Sequence, residues 1–278
     1  MRTLASVFCW IVAVVAGTVA LPVTWIADNV TDESGYVALV AELRDDQELR
    51  VAVAEIVATD LTENLGLPDG VRDQFAQQLR AAFERVGEIE GFDAAWDETQ
   101  RRSHALWFDG HRPPEELQLD VAPLAALAVG PVAAQFPVEL ATPDQMLVTV
   151  ASAPPGMDWV ESAPTWKMIS LIAAGAATFL CFVFARRRSV GLAWIGVGAL
   201  LVAGISYAGS RVAVPAALDR MEEGASAFGQ VLTETLADRF QASLDEWIEL
   251  LAIAGAAALV VGVLARLIAG RREAARRR

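Results

Sequence analysis

The sequence predicts a mainly α protein: four transmembrane helices joined to a mostly helical extracytoplasmic domain with a minimal two-stranded β element. Three observations predict it. Apolar residues gather into four runs of membrane length, arginines gather beside those runs at alternate ends, and the two long segments between the runs are acidic with helical periodicity.

The runs are Leu4 to Ile26, Met168 to Ala185, Ser189 to Ser210 and Leu250 to Ala269. A helix rises about 1.5 Å per residue, so roughly 20 apolar residues cross the hydrocarbon core. The second run is the shortest, and Lys167 at its edge can snorkel. The boundaries are then residues 1–26 for the first span, 27–167 for the outer domain, 168–185 for the second span, 186–189 for a cytoplasmic loop and 190–210 for the third span. An amphipathic outer helix follows at 211–249, the fourth span at 250–269 and a basic tail at 270–278. The first run extends past Thr18-Val19-Ala20 to Ile26, longer than a signal-peptide core, and reads as an uncleaved anchor.

Orientation follows from the cations. Arg186, Arg187 and Arg188 separate two runs by a loop too short for anything but a tight hairpin. Short cytoplasmic loops carry excess Lys and Arg, which puts this loop inside, together with Arg2 and the tail that begins at Arg271 and Arg272. Both termini are then cytoplasmic, and 27–167 and 211–249 lie outside. Trp25, Trp166 and Trp247 all fall at the expected outer boundary, where indole rings favour the interface. Ordinary packing is the alternative reading of each.

The outer segments are acidic. Residues 27–166 hold 26 acidic and 8 basic side chains, and residues 211–246 hold 7 and 3. Such a face repels nucleic acid and anionic headgroups, so no nucleic-acid partner is expected. Both cysteines, Cys9 and Cys181, lie in apolar runs, so no disulfide staples the outer domain.

Within the outer domain, Asp32 or Ser34 can cap a short helix through Leu43. Asp45 with Glu48 fits a capping box for a second helix, with Leu49, Val53, Ile56, Val57 and Leu61 at helical spacing until Gly66 and Pro68. A third helix is expected over 70–89 and a fourth from Phe92 to Phe108. Leu117 to Val121 alternates at period two and reads as a strand, paired with a second strand at 136–140. An alanine-rich turn lies between them at 123–129, and Pro143 and Asp144 open a last short helix to about Val150. Pro154, Pro155 and Pro164 form a stiff lead into the second span. In 211–249, Met221, Ala225, Phe228, Leu232, Leu236, Phe240 and Leu244 form a stripe that must bury. Docking on the outer domain, or extension of the fourth span, would satisfy it.

Chemistry-bearing residues are few. His104 and His111, near Asp97, Glu98 and Asp109, match no metal-ligand spacing, and the acidic run from Glu88 to Glu98 lacks the calcium-loop glycine and ligand order. No metal, cofactor or catalytic residue is expected, since G-x-S-x-G, H-E-x-x-H, C-x-x-C and P-loop motifs do not occur. Apart from Arg266 near an end, the apolar runs hold no ionisable side chain of the kind that relays protons or binds ions at depth. They hold many glycines and alanines, which let helices approach closely.

Arginine outnumbers lysine 21 to 1 and alanine is abundant, a composition typical of high-GC bacterial genomes. The order of parts resembles a family of uncharacterised actinobacterial four-pass integral membrane proteins, with an N-terminal anchor and a helical extracytoplasmic domain. The resemblance rests on GYVALVAELRDDQELRVAVAEIVATDL (35–61), on WDETQRRSH (96–104) as a W-x-x-T-x-R-x-x-H-like helix, on LQLDVAPLAAL (117–127) and on three closing spans around a basic hairpin. The FPVEL segment and the acidic helix depart from the pattern. The resemblance implies a plasma-membrane protein of a Gram-positive high-GC bacterium, and no activity, cofactor or site. The expected function is a scaffold or binding module of the cell envelope, working through its acidic outer domain, with the lipid bilayer and an envelope protein as partners. A membrane enzyme acting on lipid or cell-wall substrates and a transporter accessory subunit stay open, as does the oligomeric state.

Overall fold

A computed structural model describes residues 2–64, 74, 77–78, 81, 85, 89–109, 115–133, 144–153, 156–222, 225 and 227–276. It is mainly helical with one two-stranded antiparallel sheet. In chain order the elements are α1 (Arg2–Ile26), α2 (Glu33–Val40), α3 (Gln47–Asn64), α4 (Phe92–Phe108), β1 (Glu116–Asp120), α5 (Ala122–Ala133), β2 (Leu147–Ser152), α6 (Met157–Glu161), α7 (Ala163–Phe184), α8 (Arg188–Glu222) and α9 (Ala227–Arg276). Four helices are long and apolar enough to cross a membrane, with mean hydropathy of 2.4, 1.9, 1.9 and 2.4 in chain order.

The chain divides into two compact units. The first comprises Met1–Asp28, Trp159–Val214 and Gln241–Arg278, and the second Asn29–Asp158 and Pro215–Phe240. In the first unit the apolar helices alternate in direction. Ser6 of α1 donates to the carbonyl of Cys181 near the end of α7, and the start of α7 meets the end of α1 in the ion pair of Lys167 with Asp28. Trp10 of α1 donates to the Trp194 carbonyl of α8 at 2.7 Å, and Gly17 faces Val202, so α1 and α8 run parallel. α8 and α9 run antiparallel in backbone contact. A Cβ built on Gly196 would stand 2.5 Å from the Leu259 nitrogen, and one on Gly262 would stand 2.6 Å from the Ala193 nitrogen. Only glycine tolerates that approach, which is the packing role read for small residues. Large apolar side chains such as Phe8, Ile172, Phe179 and Leu250 point outward, as hydrocarbon solvent permits.

Three boundaries differ from the sequence reading. α7 begins at Ala163, five residues before the expected span, because Pro164 sits in its first turn, where no amide is needed, rather than in a lead-in. The hairpin is tighter than expected, since α8 already starts at Arg188. Segment 211–249 is not one separate helix. α8 continues through Arg211 and Pro215 to Glu222, and α9 runs from Ala227 through Glu249 into the last apolar run.

The second unit is built around α4, which occupies the expected span of Phe92 to Phe108. Asp32 caps α2, its Oδ1 accepting from the Gly35 amide at 2.9 Å. α2 ends at Val40, and a tighter 3₁₀ turn, Ala41–Asp45, completes the stretch that reads as one helix to Leu43. That turn takes up Asp45, so Asp46 caps α3 instead, accepting from the Leu49 amide at 2.9 Å. α5 is longer than the expected turn. β1 pairs with Leu147–Ser152 and not with 136–140, in a register that sets Leu119 opposite Val148 and Glu116 opposite Ser152, with a bulge between Leu117 and Gln118. The segment read as a helix to Val150 is thus a strand. Its alternate residues Val148 and Val150 are buried while Leu147 and Thr149 face outward. The 136–140 segment, most of the helix expected over 70–89 and His111 lie outside the described residues. The core gathers Tyr36, Val40, Leu49, Val57, Trp96, Leu124, Val148 and Val150. Phe228 and Leu232 from the start of α9 complete it, with Met221, Leu236 and Phe240 against its edge, so these five residues of the stripe in 211–249 pack in this unit, while Leu244 belongs to the first.

Candidate functional site

In the second unit, polar side chains concentrate on the inner face of α4. The segment W-D-E-T-Q-R-R-S-H places Trp96, Thr99, Gln100, Ser103, His104 and Trp107 at helical spacing on one buried side. Trp96 donates to the Val40 carbonyl at 3.3 Å and Trp107 to the Gln118 carbonyl at 2.8 Å, tying α4 to α2 and β1. Tyr36 donates to Gln100 Oε1 at 3.1 Å, and burial raises the phenol pKa above its ordinary value. Ser103 accepts the Asp120 amide at 3.0 Å and donates to the Thr99 carbonyl at 2.7 Å.

His104 is 4% exposed. Its Nε2 lies 3.0 Å from the Val30 carbonyl oxygen, which only accepts, so that nitrogen carries the proton. Tyr36 and Phe108 flank the ring at centroid distances of 5.4 and 4.7 Å. Among the described residues no group of three His, Cys, Asp or Glu side chains is placed to hold a metal ion. His104 is thus enclosed by two aromatic rings and a backbone carbonyl.

Asp120 anchors the end of β1. Its Oδ1 accepts the Met146 amide at 2.9 Å and the Ala122 amide at 3.2 Å, joining both strands to the start of α5. Arg102 stands 3.7 Å from Oδ2 and also pairs with Glu98 at 2.8 Å. The Arg102 hydrogen bond holds the Glu98 carboxyl below the usual carboxylate range, and Glu98 in turn raises the guanidinium. Sequence reasoning passed over Asp120. An alternating strand that ends on an acid directly before an N–H-rich helix start was the available signal.

Asp120 apart, most of the described carboxylates around this core face outward. Glu33, Glu42, Asp45, Glu48, Glu55, Glu90, Asp93, Glu115 and Glu116 are all exposed. The exposed acids lie on several elements, so the surface is acidic as a whole.

In the first unit the two ends of the bundle differ in charge chemistry. At one end Lys167 pairs with Asp28 and Arg211 with Asp245, and Trp25 donates to Ser243 at 3.1 Å. At the other lie Arg186, Arg187 and Arg188 beside the start of α1, with Arg271 exposed near the end of α9. Arg188 stands 6.0 Å from the centroid of Phe182. Arg272 lies within α9. The three boundary tryptophans behave differently. Trp166 is 46% exposed, Trp247 lines an internal cleft, and Trp25 is 6% exposed with its indole N–H used inside the bundle, the packing role.

That cleft measures about 520 Å³ and is walled by α1, α7, α8 and α9. A second, of about 370 Å³, opens at the arginine hairpin between α1, α7 and α8. Both are within the range of small-molecule sites. Comparison of the chain with protein-family models, with curated proteins and with solved structures finds no match.

Proposed function

We propose that this chain is a multi-pass membrane protein of a bacterial cell envelope, a scaffold or binding module rather than an enzyme, working through the acidic surface of its second unit. Its resemblance to four-pass actinobacterial membrane proteins belongs to the same proposal. The observation that carries the reading is the division of labour on α4. Thr99, Gln100, Ser103 and His104 are buried among aromatic rings and backbone groups, whereas Asp93 is open to solvent, its side chain 72% exposed. The polar groups that resemble catalytic equipment build the domain; α4 also exposes Arg101 and Arg102, but carboxylates such as Glu33, Glu42, Glu48, Glu55 and Glu90 predominate on the described surface of the unit. A surface of that kind attracts partners with a basic face, and at physiological ionic strength the attraction acts over about 8 Å.

Alternating helix directions bring the start of α1, the arginine hairpin and the end of α9 to one end, which supports both termini on the cytoplasmic side by the excess of positive charge there. The second unit then lies outside. A cysteine placed at Ser152 should react with an impermeant thiol reagent in intact cells, and one at Ser189 should not. The opposite pattern would invert the topology and remove the outer-domain reading. Crosslinking in native membranes followed by affinity purification tests the function. A stoichiometric partner lost on Glu48→Lys with Glu55→Lys supports the scaffold. Recovery of the chain alone, with unchanged yield for that variant, refutes it.

A further inference from the structure

We propose that the cleft at the arginine hairpin binds an anionic phospholipid, its phosphate held by Arg186 and Arg187 and one acyl chain laid along the slot between α1, α7 and α8. The two clefts of the first unit share Trp10 and Cys181, so they adjoin along α1. The upper one reaches from Thr3 to Trp10 and the lower from Trp10 to Thr24 on that helix. At about 1.5 Å per residue the path is about 30 Å long, more than the roughly 15 Å depth of one leaflet.

The walls and the mouth differ in chemistry. The lower cleft is walled mostly by apolar or small side chains such as Ala13, Gly17, Leu171, Ala174 and Gly198, with Thr24 and Thr178 among the few polar ones. At the mouth stand Arg186 and Arg187, both exposed, in the loop between α7 and α8. Among the described residues no carboxylate pairs with either, whereas Lys167 and Arg211 at the far end are each neutralised by an aspartate of this chain. Two guanidiniums with no counter-ion among the described residues, beside an apolar slot, match a group that is doubly oxygenated and anionic at one end and hydrocarbon at the other. The planar fork of arginine suits phosphate oxygens bidentately. A neutral lipid would fill the slot and leave the cations unmatched. A free phosphate would match the cations and leave the slot open.

The proposal rests on the four helices lying in a bilayer. Recovery of the chain in the soluble fraction would refute that premise, whereas the lipid experiment addresses the site alone. The full chain, purified in mild detergent and freed of lipid, is heated with dioleoyl phosphatidylglycerol, with dioleoyl phosphatidylcholine or with inorganic phosphate. Phosphatidylglycerol should raise the unfolding midpoint by several degrees through preferential binding to the folded state, and the other two should not. Arg186→Lys with Arg187→Lys keeps the charge that sets topology and removes the fork. It should weaken phosphatidylglycerol binding roughly tenfold, read from the concentration dependence of the shift. Ala174→Phe, which fills the lower slot, should abolish the shift without changing the lipid-free fold. Equal shifts with phosphatidylcholine, a shift with inorganic phosphate alone, or wild-type phosphatidylglycerol binding by both variants would each overturn the proposal.

Discussion

Replacing Asp120 with alanine tests the account of the second unit most directly. The carboxylate is buried and accepts two backbone amides, from Met146 at 2.9 Å and Ala122 at 3.2 Å. One belongs to the approach to β2 and the other to the first turn of α5, so a single side chain holds three segments. A hydrogen bond to a charged group contributes roughly 1.5–3 kcal/mol, and a buried donor left without a partner carries its desolvation penalty. Two such donors are stranded in Asp120→Ala, a loss of about 3–6 kcal/mol, a large share of the 5–15 kcal/mol that holds a typical domain. The Arg102 contact, at 3.7 Å and with a 43% exposed guanidinium side chain, adds little. Asp120→Asn keeps an accepting oxygen and should cost about half as much. Hydrogen exchange of the full chain in detergent reads the effect locally. Protection of amides over 116–133 and 146–152 should fall by about 10²- to 10⁴-fold in the alanine variant, less in the asparagine variant, and remain unchanged in α7. Unchanged protection over the two strands in Asp120→Ala would refute the assignment of Asp120 as their clamp.

Gly262→Leu sets a side chain against the α8 backbone, 2.6 Å from the Ala193 nitrogen at its Cβ, and should lower the detergent unfolding midpoint at a cost of roughly 1–3 kcal/mol. Gly204→Ala, which meets nothing within 4 Å, is the matched control and should leave the midpoint unchanged. Acid should unfasten the start of α2. The Ser34 hydroxyl and the Gly35 amide hold the Asp32 pKa below its model-compound 3.8, so the cap contributes above that value and is lost as pH falls through the lowered folded pKa. Exchange at the Gly35 amide, measured against pH, should show this loss, and Asp32→Asn should flatten it. A fragment of residues 29–158 should be unstable alone and gain protease resistance when 215–240 is tethered to it. Equal resistance of the two would show that Phe228 and Leu232 are dispensable.

The parts that were legible in the sequence are those in which one period dominates over a long stretch. Phe92 to Phe108 repeats its aromatic face over more than four turns, and the apolar runs are set by length and composition alone. The sheet was half legible. Leu117 and Leu119 alternate with Gln118 and Asp120, but the partner depended on six residues in which two periods compete. Pro143 and Asp144 look like a helix start, and the dense apolar residues Met146, Leu147 and Val148 fit one face of a helix as well as they fit a strand. The β-branched Val148, Thr149 and Val150 tipped the outcome, because pairing with β1 buries Val148 and Val150. The capping error at Asp45 had a similar origin. Adjacent aspartates each satisfy the local rule, and the 3₁₀ turn that follows α2 decides which is free to cap. The inner use of His104 was legible only as an absence of ligand spacing, since its partner, the Val30 carbonyl, carries no mark in sequence. The arginine hairpin was read for its charge, and the cleft beside it depends on helix packing that no local pattern encodes.

The second unit explains why its amphipathic stripe needs neither a membrane surface nor a second chain. The described residues of 29–158 form helices and one pair of strands, and a two-stranded sheet by itself is at best marginal in water. Its open side is closed by Phe228 and Leu232, side chains of a helix that begins about 70 residues later in the chain. At roughly 25 cal/mol per Å², burying two large apolar side chains contributes a few kcal/mol, enough to decide whether so small a core persists. Arg239 reinforces the same attachment, its guanidinium accepted by the Leu39 carbonyl at 3.2 Å and by Glu42 at 2.9 Å. The core of the second unit is therefore completed by residues far away in sequence, and removing Phe228 and Leu232 should expose Tyr36, Val40 and Leu49 of the cluster they belong to.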